Sequence, residues 1–225
     1  PLAVVFHTVL PRPDEAFKKN VQHILDRADS IIVMTKNSSE MLIEDYRVDE
    51  HAKINVIPHG THLVPHKDKN ALKIKYGVKG RKVLSTFGLL SSGKSIETTL
   101  DALPNIVNKS PDVLFLIIGK THPGVVVNEG EVYRESLEAK IKELQLENHV
   151  QFVNKYLPLE ELLDYLQLTD IYLFTSKDPN QAVSGTFSYA MSSGCAIVST
   201  PIPHAKEMMA DGCGLTFDFG DSKKL

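Results

Sequence analysis

The chain has 225 residues, with 25 Lys and Arg against 28 Asp and Glu, a formal net charge of −3, and 42% hydrophobic residues. That length and apolar content can core one large domain or parts of two. The slightly negative balance and the scatter of the basic residues make no bulk electrostatic case for nucleic acid, and none is expected as a partner. The longest apolar runs are strand-length and too short to span a bilayer. Cys195 and Cys213 sit without a CxxC or a Cys–His ligand spacing, so they read as reduced, buried thiols of a cytoplasmic protein.

Taken in order, Leu2–Val9 is an apolar run closed by Pro11 and Pro13 and predicts a strand. Asp14 caps a helix to about Ala28. Ser30–Met34 is a short buried strand, Ser38–Tyr46 an amphipathic helix, and Lys53–Ile57 a strand closed by Pro58-His59-Gly60. This βαβαβ alternation predicts a parallel sheet. His59–Lys69 is polar and aperiodic and reads as a linker; His59, His62 and His66 match no common metal spacing.

A second unit follows. Its strands are Val83–Phe87, Val113–Gly119, Val150–Val153, Ile171–Thr175, Ala196–Thr200 and Leu215–Phe217. Its helices are Ser95–Lys109, Val132–Leu146, Pro158–Leu168, Gly185–Ser193 and His204–Ala210, with Pro158 in a first turn and Gly194 as a terminator. Tyr133 and Tyr165 read as packing residues. Pro1 opens directly into a strand and the chain stops at Leu225 where a further helix could start, so it reads as a piece of a longer protein.

Two segments carry the chemistry, Phe87–Leu103 and Gln181–Pro201. Each runs from a strand through a loop of small residues into a helix, an arrangement that aims backbone N–H groups at an anion. Two such loops at the carboxyl edge of one parallel sheet suggest a diphosphate, and hence a nucleotide or nucleotide-sugar. Lys94 stands at a helix start, unfavourable for the helix dipole unless an anion is bound. Gly88–Ser95 also fits the P-loop pattern GxxxxGK[ST], in which Lys94 would reach outer phosphates and Ser95 would hold Mg²⁺. Only Asp178 is placed to serve as the acidic metal partner, and not in the usual strand-then-Asp pattern.

The segments FHTVLP at Phe6–Pro11, INVIPHG at Ile54–Gly60, TFGLLSSGKSIETTLDALP at Thr86–Pro104, LFLIIGKTHP at Leu114–Pro123, Val150–Ser176 and Ser184–Asp221 lie in an order that resembles the group 1 (family four) retaining glycosyltransferases of the two-lobed GT-B fold. The resemblance implies an α/β protein of Rossmann-like parallel sheets. Residues 1–62 would end an acceptor-side lobe, 63–80 would be linker and lead-in, and 81–225 would form a nucleotide-sugar-binding lobe lacking its closing helix. It implies hexosyl transfer from a UDP-, GDP- or ADP-linked donor to a glycan or lipid-linked acceptor, without metal or other cofactor. Localisation would be cytoplasmic, or membrane-peripheral in a longer protein, and the isolated piece is not expected to turn over.

By the same resemblance Lys94 is the phosphate-binding lysine and His7 faces the donor sugar. Gly88 and the Ser184-Gly185-Thr186 loop cradle phosphate. Three positions depart from the family pattern. Leu89 replaces an arginine, and Gln181 and Tyr189 replace two glutamates that would contact the sugar and the ribose. Gln181 keeps hydrogen bonding without charge, and Tyr189 can still donate to a hydroxyl. His122, His204 and Glu207 are further candidates at the same edge, and Asn154 and Tyr156 stand at the expected base pocket. A P-loop NTPase, or a degenerate, non-catalytic relative that binds a partner or sugar, are the alternative readings.

Overall fold

Alternating buried runs and polar helices build two parallel sheets in the computed structural model, which describes residues 1–49 and 51–225. The chain divides into two units. One holds Pro1–Gly60, Asp178–Gly185 and Ile202–Asp211; the other holds Thr61–Lys177, Thr186–Pro201 and Gly212–Leu225.

In the first unit, strands β1 (Ala3–Phe6), β2 (Ser30–Val33) and β3 (Ile54–Val56) pair in parallel in that order. Helix α1 (Glu15–Arg27) starts where Asp14 Oδ1 accepts the Phe17 N–H at 2.7 Å, as its sequence predicts. Helix α2 (Lys36–Glu44) is capped by Thr35, whose Oγ1 accepts from Ser38 N at 3.1 Å. Val21, Leu25, Ile31, Val33, Leu42 and Tyr46 form the core. Tyr46 is tolerated there because its hydroxyl donates to the Leu10 carbonyl at 2.9 Å.

The second unit begins with α3 (Lys69–Lys75) and β4 (Lys82–Phe87), then α4 (Ile96–Lys109), β5 (Val113–Ile118), α5 (Pro123–Glu129), α6 (Val132–Glu143) and β6 (Val150–Val153). It continues through α7 (Leu159–Leu168), β7 (Ile171–Phe174), α8 (Gly185–Ser192) and β8 (Ala196–Ser199). Helix α9 (Pro203–Met208) belongs to the first unit, and β9 (Gly214–Thr216) to the second. The six strands pair in parallel in the order β6-β5-β4-β7-β8-β9. All six residues of β5 are buried, as expected of a central parallel strand covered on both faces. The chain runs outward from β4 to β6 and then resumes on the other side of β4 with β7. The strand order therefore reverses between β4 and β7, and a ligand crevice belongs at their carboxyl ends. Both small-residue loops leave from there.

Two helices depart from the sequence expectation. Residues 69–75, read as linker and lead-in, form α3 under an Asp68 cap. Its stability is tertiary: Lys73 Nζ meets Asp170 at 2.5 Å and Lys75 Nζ meets Asp164 at 2.8 Å, so no long amphipathic period announced it. Helix α5 was also unforeseen; His122 Nδ1 caps it by accepting from Gly124 N at 3.0 Å, with Pro123 at its start.

Candidate functional site

Strand β4 ends at Gly88, where φ is +125°, beside the end of β5 at Gly119, where φ is +126°. Gly88 N donates to Ile118 O and Gly119 N to Val153 O, each at 3.0 Å. A Cβ on Gly119 would collide with the Gly88 carbonyl oxygen, so position 119 demands glycine for close backbone approach. Leu90, 1% exposed, then bridges to Thr121 and locks the loop to the β5 exit.

Lys94 closes a short 3₁₀ turn, Ser92–Lys94. Its backbone is pinned to the β7 exit: Thr175 Oγ1 donates to Lys94 O at 2.6 Å and Lys177 N to Gly93 O at 3.0 Å. The side chain folds back, and Nζ donates to Phe87 O at 3.3 Å. Among the described residues no carboxylate pairs with this ammonium, and burial pulls it down to about 8. A Cβ at Gly88 would stand 2.8 Å from Lys94 Nζ and 3.1 Å from Thr186 Cγ2, so these three residues meet at one point.

The loop is not built as a P-loop. Ser95 takes a left-handed conformation with φ +48°, and its hydroxyl is bonded to Thr98 Oγ1 at 2.9 Å rather than offered to a metal. The first N–H of α4, on Ile96, donates to the Tyr133 hydroxyl at 3.0 Å, and that hydroxyl donates to Glu97 Oε2 at 2.7 Å. The expectation that α4 points its leading N–H at an anion is therefore corrected; Tyr133 has taken that donor. Among the described residues no group of three or more His, Cys, Asp or Glu is arranged to hold a metal ion.

Beside Gly88 lies a cavity of about 190 Å³, lined by Phe87, Leu89, Ile118, Tyr156, Leu157 and Leu162 among others. It is smaller than the ~300–1,000 Å³ of common ligand clefts and largely apolar, suited to one planar group. Leu89 and Tyr156 are thus brought together, with Tyr156 82% exposed at the rim; Asn154 is exposed and does not line the cavity. On α8, Thr186 is hydrogen-bonded to the Tyr172 phenol, which burial pushes up to about 12 and so keeps protonated. One turn further on the same face, the Tyr189 hydroxyl lies 2.6 Å from His62 Nδ1, with the two rings stacked at 6.0 Å.

The first unit holds the other candidates. His7, exposed just beyond β1, meets the His59 ring edge-on at 6.2 Å. His59 Nε2 would be 3.2 Å from a Cβ on Gly185, so Gly185 is glycine at least partly to seat that ring. Ser184 N donates to His204 Nδ1 at 3.0 Å, and His204 is 1% exposed. The Ser184 N–H is therefore bonded to the His204 imidazole. Gln181 Nε2 turns to Val183 O at 3.4 Å. Glu207 is drawn to the start of α2, where it accepts from Lys36 N at 2.8 Å and Asn37 N at 3.3 Å. That is a helix-capping carboxylate, and His122 is likewise spent on the α5 cap.

Sequence reasoning missed His59, His62, Tyr133 and Tyr172 as members of these clusters. The histidines were weighed only as metal ligands or linker, and the tyrosines carry no local signal beyond being aromatic. A histidine directly after Pro58 at a strand end was the one available hint.

Residues 81–225 match the family model described as Glycosyl transferases group 1. A search of curated proteins finds no match to this chain. Among solved structures, HepE from Anabaena in complex with UDP superposes with a TM-score of 0.81 at 22% identity, over 99% of this chain and 60% of that one. A glycosyltransferase from Rickettsia africae gives 0.76 at 19% identity, over 98% and 57%. The C-terminal domain of a group 1 family protein from Francisella tularensis gives 0.61 at 20% identity, over 72% and 80%. The chain thus spans 60% or less of the length of the Anabaena and Rickettsia proteins. At these identities the common property is the fold, that of the GT-B glycosyltransferases.

Proposed function

The chain belongs to the group 1 glycosyl transferases, and on that premise we propose that it is the donor-binding part of a retaining hexosyltransferase that uses a nucleotide-sugar. In such a transfer the bond from the anomeric carbon to the phosphate oxygen breaks. The nucleoside diphosphate leaves with the electron pair, and an acceptor hydroxyl oxygen bonds to the carbon and gives up its proton. Negative charge grows on the leaving diphosphate, and a fixed cation there lowers the barrier.

The observation that carries the proposal is the Lys94 ammonium, held against Gly88 at the strand-order reversal without a carboxylate partner among the described residues. It would neutralise the diphosphate without metal. The apolar cavity next to Gly88, with Leu89 and Tyr156, would take the nucleobase. Structures of HepE hold UDP and UDP-glucose, which favours a uridine donor over GDP or ADP. Thr186, beside Gly88 and Lys94, would contact the phosphates. The acceptor would be a glycan or a lipid-linked sugar in a cytoplasmic setting; among the described residues no helix is long and apolar enough to cross a membrane.

Calorimetric titration with UDP, GDP, ADP and ATP, each with and without Mg²⁺, tests this. Metal-independent binding of one diphosphate, lost in Lys94→Ala, supports the reading; binding only of ATP with Mg²⁺ overturns it. A second reading, a catalytically silent relative, is favoured by Gln181 and Tyr189 standing at carboxylate positions. It predicts no nucleotide affinity even in the longer protein.

A further inference from the structure

The six-stranded sheet of the second unit carries lysines along its carboxyl edge. Each of four neighbouring strands, in the order β6-β5-β4-β7, has one in its exit segment: Lys155, Lys120, Lys94 and Lys177. Two of them are neutralised within the fold. Lys155 Nζ meets Glu161 at 2.6 Å, and Lys177 Nζ meets Glu97 at 3.2 Å. Lys94 and Lys120 have no carboxylate partner among the described residues.

The side chain of Lys120 is exposed, but its root is fixed. Leu90 N donates to Lys120 O at 2.8 Å and His122 N to Leu90 O at 2.9 Å, so the backbone is clamped on either side of it. Thr121, 3% exposed, accepts from Arg134 through its hydroxyl at 2.9 Å. Arg134 Nε also takes up Glu131 at 2.9 Å, so that carboxylate is already matched. Lys120 directly follows Gly119, whose side-chain face meets the Gly88 carbonyl oxygen, while Lys94 Nζ lies on the side-chain face of Gly88. One unpaired lysine thus stands at each member of the glycine pair. Lys120 also lines the cavity beside Gly88, and among the described residues no carboxylate does.

We propose that Lys120 is the second cation of the donor site, binding the same diphosphate as Lys94 across the Gly88–Gly119 pair. The role rests on the donor-binding reading above. A diphosphate carries more negative charge than one ammonium can match, and its oxygens accept from several donors at once. The leading amide of α4 does not contribute, because Tyr133 holds it. Lys155 and Lys177 would first have to leave their carboxylates. Lys120 gives up no ion pair to bind, and its clamped backbone limits the ordering cost to its own side chain.

Calorimetric titration of this chain with UDP, inorganic pyrophosphate and uridine tests the pairing in wild type, Lys120→Met, Lys120→Arg and Lys94→Met. Lys120→Met should lower UDP and pyrophosphate affinity about 10-fold, the loss of one charge-assisted contact. Lys120→Arg should stay within about 3-fold of wild type, because a guanidinium also donates to phosphate. Uridine affinity should not change in either. Added salt should weaken UDP binding less steeply in Lys120→Met than in wild type. Full UDP and pyrophosphate affinity in Lys120→Met, with loss in Lys94→Met, overturns the proposal and leaves the donor reading standing. An equal loss for uridine also overturns it, because a phosphate contact cannot weaken a ligand without phosphate. If pyrophosphate binding needs both lysines while UDP binds no more tightly than pyrophosphate, the nucleotide reading fails and the lysine pair remains. A wild type that binds neither anion overturns both.

Discussion

Gly88 lacks a side chain because Lys94 uses its space: a Cβ there would stand 2.8 Å from the ammonium nitrogen. The φ of +125° is a second, independent demand for glycine. Gly88→Ala is therefore expected to cost about 1–3 kcal/mol of stability through backbone strain. It should also displace Lys94 and weaken diphosphate binding. Denaturant unfolding and titration of the same variant check the two effects separately.

Lys94→Met should separate function from stability. Loss of a charge-assisted contact is expected to weaken nucleoside diphosphate binding by about 1.5–3 kcal/mol, or ~10–100-fold. Stability should hold or rise, because burial disfavours the charged form. A variant that unfolds more easily and binds normally would remove Lys94 from the site.

The pH dependence follows from the same group. Lys94 is pulled from 10.5 to about 8 in the folded chain. Below 8 it is charged in both folded and unfolded states. Between 8 and 10.5 the unfolded state binds more protons, so stability rises with pH across that window. Diphosphate affinity should be full below 8 and decline above it. Titration at pH 8.5 in two buffers of different ionisation enthalpy should reveal proton uptake on binding, absent in Lys94→Met.

Asp164 tests what holds α3 to α7. Its carboxylate, 1% exposed, meets Lys67 at 2.6 Å, Lys75 at 2.8 Å and the Tyr76 hydroxyl at 3.0 Å. Burial alone would raise this carboxyl, but the hydrogen bonds from Lys67, Lys75 and Tyr76 prevail and hold it below the usual range. Its contribution is present above the unfolded-state value and is lost as pH falls through the lower folded one. Asp164→Asn should cost about 1–3 kcal/mol, less than a fully buried pair, because both lysines can turn to water. Thermal unfolding at pH 7 measures it.

Much of the fold was legible because its signals are local. The Asp14 cap, the terminating Gly194 and the six buried residues of β5 depend on neighbours a few positions away, and alternation of such elements implies parallel sheets. Lys94 stood out by its place at a helix start, and the two small-residue loops by their composition. The helices α3 and α5 did not, because ion pairs and a histidine cap hold them rather than a long amphipathic stripe.

The side-chain partnerships were decided only by tertiary structure. His62 and Tyr189 are 127 residues apart, Glu207 and Lys36 are 171 apart, and nothing in the local sequence joins them. Tyr133 claims the leading amide of α4, a donor that motif logic offered to an anion, and the Ser184 amide is bonded to His204. Hydrophobic period and backbone propensity are properties of contiguous residues and fix which elements form. Which polar group satisfies which buried donor depends on how those elements pack, because a buried N–H must find a partner wherever the fold brings one within reach.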